Sequence, residues 1–353
     1  VNARRKALCW ISLAVYCCLF GCRDKAVVID QDPGNDPSAN QRQNIAFGRL
    51  VPGRLFDIFV VSENGVDLTN LTDHPASDLN PVWSPDGRQI AFESNRGGPT
   101  DVYVMMADGS NVKNVSRIER RAVEPSWSPD ATSIVFQGET VVAVDIYRVK
   151  LNDLSKQNLT RGEGTNIFPR YSPVGTSIAF LSDRHGAFGL YVMDEEGNGQ
   201  RKLASIAGFD ATFTLKWSPD GSKILYSSSA PNMRDVFIVD VFTGRIQNLT
   251  NHPADDFGAD WSYDGREIVF QSNREGISRL YKINADGTGL LRIGTGNDEW
   301  FPSFSPTSKR VLFLSSRRGA YEIWIVDLAG MIETLVTPTL ASDRTPRWRP
   351  ARR

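Results

Sequence analysis

One phrase returns along this chain at a near-constant interval, and that periodicity restricts the possible folds more than any other feature. Pro81-Val82-Trp83-Ser84-Pro85-Asp86-Gly87-Arg88-Gln89-Ile90-Ala91-Phe92 recurs with its aromatic anchor at Trp83, Trp127, Tyr171, Trp217, Trp261, Phe304 and Trp348. Successive anchors lie 44, 44, 46, 44, 43 and 44 residues apart. Within each unit the pattern reads as four short strands. Strand A ends at the anchor. A tight turn follows, Ser84-Pro85-Asp86-Gly87 in one unit and Ser218-Pro219-Asp220-Gly221 in another. Proline presets φ early in such a turn and glycine accepts positive φ at its end. Strand B is Ile90-Ala91-Phe92, with echoes at Ile134-Val135-Phe136 and Ile268-Val269-Phe270. Strand C runs from Asp101 to Met105, with echoes at Gly189 to Met193 and Glu322 to Val326. After an Asp108-Gly109 turn, strand D closes on Asn-Leu-Thr, as at Asn70-Leu71-Thr72, Asn158-Leu159-Thr160 and Asn248-Leu249-Thr250.

Four short strands per 40–45 residues predict an all-β fold, a single β-propeller of four-stranded blades. One blade cannot bury both faces of its sheet, whereas a ring gives each sheet two neighbours. The repeat also predicts how the ring closes. Residues 45–72 supply strands B, C and D with no strand A before them, and residues 344–350 supply a strand A with nothing after it. Six complete units and one blade shared between the termini make seven blades. Six remains the alternative if residues 45–60 form no proper sheet.

Leu71-Thr72-Asp73-His74-Pro75, Trp83-Ser84-Pro85-Asp86-Gly87, Ser94-Asn95-Arg96 and Leu249-Thr250-Asn251-His252-Pro253 resemble the TolB-type, WD-repeat-like propeller repeat. The resemblance spans about residues 45–350 and is specific for fold more than for function. Two departures from TolB itself are expected. No α/β domain precedes the repeats in this sequence, and the chain carries features of a lipoprotein.

Those features lie in the first 22 residues. Arg4-Arg5-Lys6 precedes an uncharged apolar run from Ala7 to Gly21, the layout of a secretory signal over residues 1–21. The run is shorter than the ~20 residues that span a bilayer comfortably. It ends in Leu19-Phe20-Gly21-Cys22, which resembles the bacterial lipobox, although Phe20 is bulkier than that motif ordinarily carries. The resemblance implies lipidation of Cys22 and stable anchoring by more than one acyl chain. Arg23 in place of an aspartate implies the outer membrane in a diderm host. An uncleaved anchor helix and a plain signal peptide are the alternatives. Residues 22–44 read as the lipidated cysteine and a polar, turn-rich tether, and residues 45–353 as the propeller.

Bulk properties exclude several function classes. All four cysteines, Cys9, Cys17, Cys18 and Cys22, precede the repeats, so the propeller has neither a disulfide framework nor a thiolate metal site. Without Arg4, Arg5 and Lys6 the chain has 37 basic against 41 acidic residues, far from the basic surplus that nucleic-acid binding requires. His74, His185 and His252 fall in separate blades, so no metal site is expected, and no cofactor is implied. Gly-x-Ser-x-Gly is absent and no hydrolase segment follows the repeats, which leaves no catalytic constellation in view.

Two sets of candidate binding residues remain. Five residues before each anchor, in the loop from strand D to strand A, stand Asp78, Ala122, Asn166, Thr212, Asp256, Glu299 and Asp343. Once the ring closes, Asp256, Glu299, Asp343 and Asp78 are consecutive, an acidic arc at the channel mouth suited to a cation or a basic segment. Arg96, Arg184, Arg274 and Arg317 stand in B-to-C loops of blades that carry Asp78, Asn166, Asp256 and Glu299, with Arg49 or Arg54 available to Asp343. Acid and arginine thus occur together, the signature of ion pairs within blades. The second set is aromatic: Phe168, Phe213, Phe257, Trp300 and Phe301, three or four residues before their anchors. Most of these are expected to pack between blades. Trp300, beside Glu299 and Phe301, is expected to be exposed and to serve as a binding hot spot.

The sequence therefore predicts a non-catalytic binding or scaffolding propeller of the bacterial envelope, lipid-anchored and facing the periplasm. Its predicted partner is an envelope protein or peptidoglycan-associated component, not nucleic acid. A lyase or hydrolase acting on carbohydrate or peptide is the alternative. If Cys22 is lipidated, Cys22→Ser releases the protein from membranes or stalls its processing. Fractionation of cells expressing each form reads this, and a mutant that is cleaved yet equally membrane-bound would refute the anchor.

Overall fold

The computed structural model describes residues 43–208, 213–230, 233–338 and 341–351. Cys22 and its signal segment lie outside the described residues, as does Thr212. The described residues form twenty-eight strands in seven antiparallel sheets of four. Blade 1 comprises β4 (Asp78–Trp83), β5 (Gln89–Ser94), β6 (Asp101–Met106) and β7 (Lys113–Asn114). Blades 2 to 6 follow over residues 121–158, 166–205, 215–248, 256–292 and 299–335. Blade 7 draws on both ends of the repeat region. Its order is β28 (Asp343–Trp348), β1 (Gln43–Leu50), β2 (Phe56–Ser62) and β3 (Thr69–Asn70). Ile45 pairs with Trp348 and Arg49 with Asp343, so the clasp has formed and the blade number is seven. β1 begins at Gln43, within the segment read as tether.

Local chemistry accounts for each strand end. In the A–B turn, Ser84 Oγ donates to Asp86 (2.6 Å), the Gly87 amide donates to the Ser84 carbonyl (2.8 Å), and Gly87 takes φ +66°. Strand D stops at Asn70, short of the predicted Asn-Leu-Thr. The Asn70 side chain turns back: its carbonyl accepts the amides of Thr72 and Asp73 at 3.1 Å, and its Nδ2 donates to Asp57 of strand C (2.8 Å). The same Asp–Asn–hydroxyl clasp recurs at Asp101–Asn114–Ser116, Asp145–Asn158–Thr160 and Asp235–Asn248–Thr250. That clasp is why Asn-x-Thr marks the repeat.

The apolar core consists of seven clusters, one between each pair of neighbouring blades. Ala46, Ile58 and Val60 of blade 7 meet Trp83, Ile90, Phe92, Tyr103 and Met105 of blade 1. At the opposite side of blade 7, Ile45, Phe47, Val61 and Trp348 meet Leu312, Leu314, Ile323 and Ile325 of blade 6. Fully burying a side chain of this size contributes about 1.5–3 kcal/mol. Four of the five anchor tryptophans add a directional link between blades. Trp127 Nε1 donates to the Val82 carbonyl (3.0 Å), Trp217 to Arg170 (3.0 Å), Trp261 to Lys216 (3.3 Å) and Trp348 to Ser303 (3.0 Å). Each indole thereby reaches the innermost strand of the preceding blade, one repeat back.

Truncation after Asp343 removes most of β28 together with Trp348. It bares the edge of β1 and one face of the blade 6 sheet. The truncated protein is expected to aggregate or to lose its cooperative transition. Size-exclusion chromatography with a thermal melt tests this, and an unchanged monomer of unchanged Tm would refute closure by the C-terminus.

Candidate functional site

The innermost strands of all seven blades surround one central cavity of about 430 Å³. Strand A is built to feed it. Three residues before the anchor, Asn80, Glu124, Phe168, Gly258, Phe301 and Thr345 take φ between +48° and +60°. The A–B register shifts at this point, for example between Leu79 and Val82 and between Trp300 and Ser303. These are β-bulges, and a bulge re-aims the side chain it carries. All six residues line the channel.

The acids expected at the channel mouth are elsewhere. Asp78, Asp256, Glu299 and Asp343 open their A strands, not the preceding loops, and all four are fully buried. Arg96 holds Asp78 (2.7 Å), Arg274 holds Asp256 (3.0 Å), Arg317 holds Glu299 (2.9 Å) and Arg49 holds Asp343 (2.7 Å). Arg54 turns instead to Asp57 and Asp73. In blade 3, Arg184 reaches Asn166 at 3.0 Å. Arg49, Arg96, Arg184, Arg274 and Arg317 each also lie over an aromatic pair of their own blade, as Arg96 does over Phe92 and Tyr103 (5.2 Å to each ring centroid). Burial pushes the carboxyls of Asp256, Glu299 and Asp343 upward, against hydrogen bonds and the arginine charges. The arc is thus a series of internal ties and offers no carboxylate to a partner. Removing one member of such a tie strands the other charge at a cost of ~3–5 kcal/mol.

The aromatic candidates separate by position. Trp300 is half-buried; it packs against the blade 6–blade 7 core and against Phe257, and its Nε1 donates to Asp298 (2.6 Å). It is not the exposed residue that its place in the sequence suggests, because its ring is taken up by the packing between blades 6 and 7. Its neighbour Phe301, on the bulge, is 38% exposed and faces the channel. Its amide is fixed by the fully buried Gln271 (2.8 Å). Phe168 and Phe213, their ring centroids 5.7 Å apart and tilted by 30°, line the same cavity.

Reading the repeat only at the acids and aromatics missed the charged residues of the channel. Glu124 sits three before its anchor, and Arg170, Lys216, Asp260 and Arg347 sit one before theirs. Comparing that register across all seven units would have found them. Arg170 pairs with Glu124 (2.6 Å) and Lys216 with Asp260 (3.7 Å), whose other oxygen accepts from Ser303 Oγ (2.8 Å). Glu93, from strand B of blade 1, is buried and accepts the Glu124 amide (2.9 Å). Burial first, and then the Glu124 charge, push its carboxyl up to about 7. Lys216 is held below the ordinary lysine range. Asp260 opposes that shift most strongly, but burial and the Arg347 and Arg170 charges together outweigh it. Its side chain is 39% accessible to channel water yet ringed by protein, so neighbouring charges reach it with little screening.

The histidines take local roles. His74 and His252 each accept a backbone amide two residues on, from Ala76 and Ala254 (3.0 Å), and His185 contacts Tyr191 OH (2.7 Å). Among the described residues no three His, Cys, Asp or Glu side chains gather as a metal set.

Seven four-stranded blades around a lined channel define a seven-bladed β-propeller. The TolB beta propeller domain model matches residues 39–144, 113–215 and 200–352, and the chain belongs to that family. An uncharacterized protein of Agrobacterium fabrum is 27% identical over 184 residues, 48% of this chain. That match spans 62% of the relative's own length. TolB from Acinetobacter baumannii superposes with a TM-score of 0.56 at 19% identity, covering 87% of this chain and 82% of that one. An oligogalacturonate lyase in complex with manganese gives 0.65 at 19% identity, covering 84% and 87%. A puromycin hydrolase gives 0.66 at 16%, covering 83% of this chain and 51% of that one. At these identities the likeness is one of fold, shared by TolB and by enzymes.

The raised Glu93 carboxyl has a consequence for stability. A carboxyl whose folded pKa exceeds its ordinary value binds its proton more tightly in the fold. Its contribution is fully present below about pH 4.5 and is lost as pH rises through about 7, by at most about 3 kcal/mol. Glu93→Gln keeps an acceptor for the Glu124 amide and removes the titration. Calorimetry across this range should show a Tm that falls more steeply with pH in the wild type than in the mutant. Parallel profiles would refute the assignment.

Proposed function

We propose that this chain is a non-catalytic binding or scaffolding propeller of the bacterial cell envelope, tethered through a lipidated Cys22 and docking a protein or peptidoglycan-associated partner at the channel. The observation that carries the reading is the division of labour on strand A. The acids that open it are closed by arginines inside the blades, while Phe168, Phe213 and Phe301 are left on the channel wall. Aromatic surface beside charge in a concave site is the composition of a recognition surface. Family membership supports an envelope role, and the fold is one that TolB shares.

One observation favours the alternative, an enzyme acting on carbohydrate or peptide. Glu93 is a carboxyl poised near neutrality beside the channel, as a general acid or base would be. Its oxygen is engaged by the Glu124 amide, and that bond favours a supporting role.

The test is capture from envelope extract with the wild-type protein, Phe301→Ala and Trp300→Ala, each accompanied by a melting curve. Phe301→Ala is expected to weaken capture by about 2 kcal/mol, the scale of a hot spot, with Tm nearly unchanged. Trp300→Ala is expected to lower Tm, because it opens the packing between blades 6 and 7. Equal capture by Phe301→Ala and the wild type would move the docking surface away from the channel.

A further inference from the structure

The charges in the channel do not balance locally. Arg170 has Glu124, and Lys216 has Asp260. Arg347, on β28 of the closing blade, lines the same cavity and has no carboxylate within ion-pair distance and no hydrogen-bond acceptor among the described residues. Its nearest charges include a second cation, Arg170, with Asp260 and Glu124 farther off than an ion pair. Burial first, and then Arg170, press on its guanidinium in the direction of lowered pKa. Arg347 is half-buried, so its guanidinium reaches the channel, but it is left unpaired beside a like charge, which costs stability unless something satisfies it. Two residues earlier on the same strand, Thr345 also lines the channel, and its buried hydroxyl has no hydrogen-bond partner. Arg347 thus presents an unpaired guanidinium to the cavity, with a buried, unsatisfied hydroxyl two residues away on the same strand.

The surroundings narrow the ligand. Among the described residues one channel cation is uncompensated, so the complementary charge is a single negative one. A phosphate dianion would meet Glu124, Asp260 and the titrating Glu93 without further cations to neutralise it. Phe168, Phe213 and Phe301, with Pro125 and Pro302, supply apolar wall, and about 430 Å³ suits a small organic body. The guanidinium fork matches a carboxylate, which can accept two parallel hydrogen bonds.

We infer that the central channel binds a monocarboxylate with an apolar or aromatic body, its carboxylate on Arg347 and its body against Phe168, Phe213 and Phe301. The inference rests on the binding reading above and specifies what the channel recognises. A free organic acid and the C-terminal carboxylate of a partner chain present the same chemistry.

Titration of the full chain with N-acetylphenylalanine and with its amide tests this. A second arm uses a six-residue glycine–serine peptide ending in phenylalanine, with its C-terminus free or amidated. The free-acid form of at least one probe is expected to bind at least tenfold more tightly than its amide. Binding of the small acid alone identifies a metabolite as the source, and binding of the free-ended peptide identifies a chain terminus. Arg347→Gln is expected to abolish the acid-over-amide preference and to raise Tm without ligand, since an unpaired charge beside a like one is gone. Arg347→Lys keeps the charge without the fork and is expected to retain a weakened preference. Equal binding of acid and amide by the wild type, absence of binding by all four probes, or an undiminished preference in a folded Arg347→Gln protein would overturn the inference. Protein capture through Phe301 and carboxylate binding through Arg347 are read separately, so either result can fail while the other stands.

Discussion

The structure depends on the pairing of β1 with β28. Every blade has an apolar face on each side of its sheet, and only a closed ring leaves neither face bare. The seven clusters between blades therefore form one circuit, and the circuit is joined where Ile45 meets Trp348 and Arg49 meets Asp343. That join brings together residues about three hundred positions apart, so its loop-closure entropy must be met by the packing it completes. Arg49 and Asp343 serve two purposes at the join. They are register partners across the strands, and they are also the blade's buried ion pair.

Charge is distributed by depth within the blade. At the start of strand A an acid meets an arginine that also covers two aromatic rings, so its carboxylate is both paired and shielded. Blade 2 has Ala122 at that position and no such arginine, and its Phe136–Tyr147 pair stacks beside Gly138 instead. The tie is therefore optional for any single blade. Nearer the anchor, charged side chains face the lumen, and Arg170, Lys216 and Arg347 crowd against Glu124, Asp260 and Glu93. One set of charges holds the blades together, and the other faces whatever enters the ring.

The blade count, the shared blade and the A–B turns were legible in the sequence because the repeat is read against itself. Turn residues and anchors recur for local reasons that survive from unit to unit. The acid–arginine pairs were legible for the same reason, since the two residue types come and go together. What stayed hidden was the direction of each side chain on strand A. Alternation along a strand would place Trp300 and Phe301 on opposite faces without saying which is outward. The bulge at Phe301 changes the register after Trp300, and no residue type announces it: asparagine, glutamate, phenylalanine, glycine and threonine all occupy that position. The unpaired state of Arg347 was likewise invisible, because it depends on which channel acids come within ion-pair distance once the ring is folded.

That same bulge separates two problems that most folds must solve together. A residue with left-handed backbone on the inner strand leaves the ladder unpaired at that point and contributes little to the sheet's packing. Its side chain varies around the ring over blades of one architecture, although at Gly258 a Cβ would run into the Gln271 side chain. The lumen of this propeller is therefore a rewritable surface on a fixed frame. A relative with the same seven blades could present a wholly different interior and melt at nearly the same temperature.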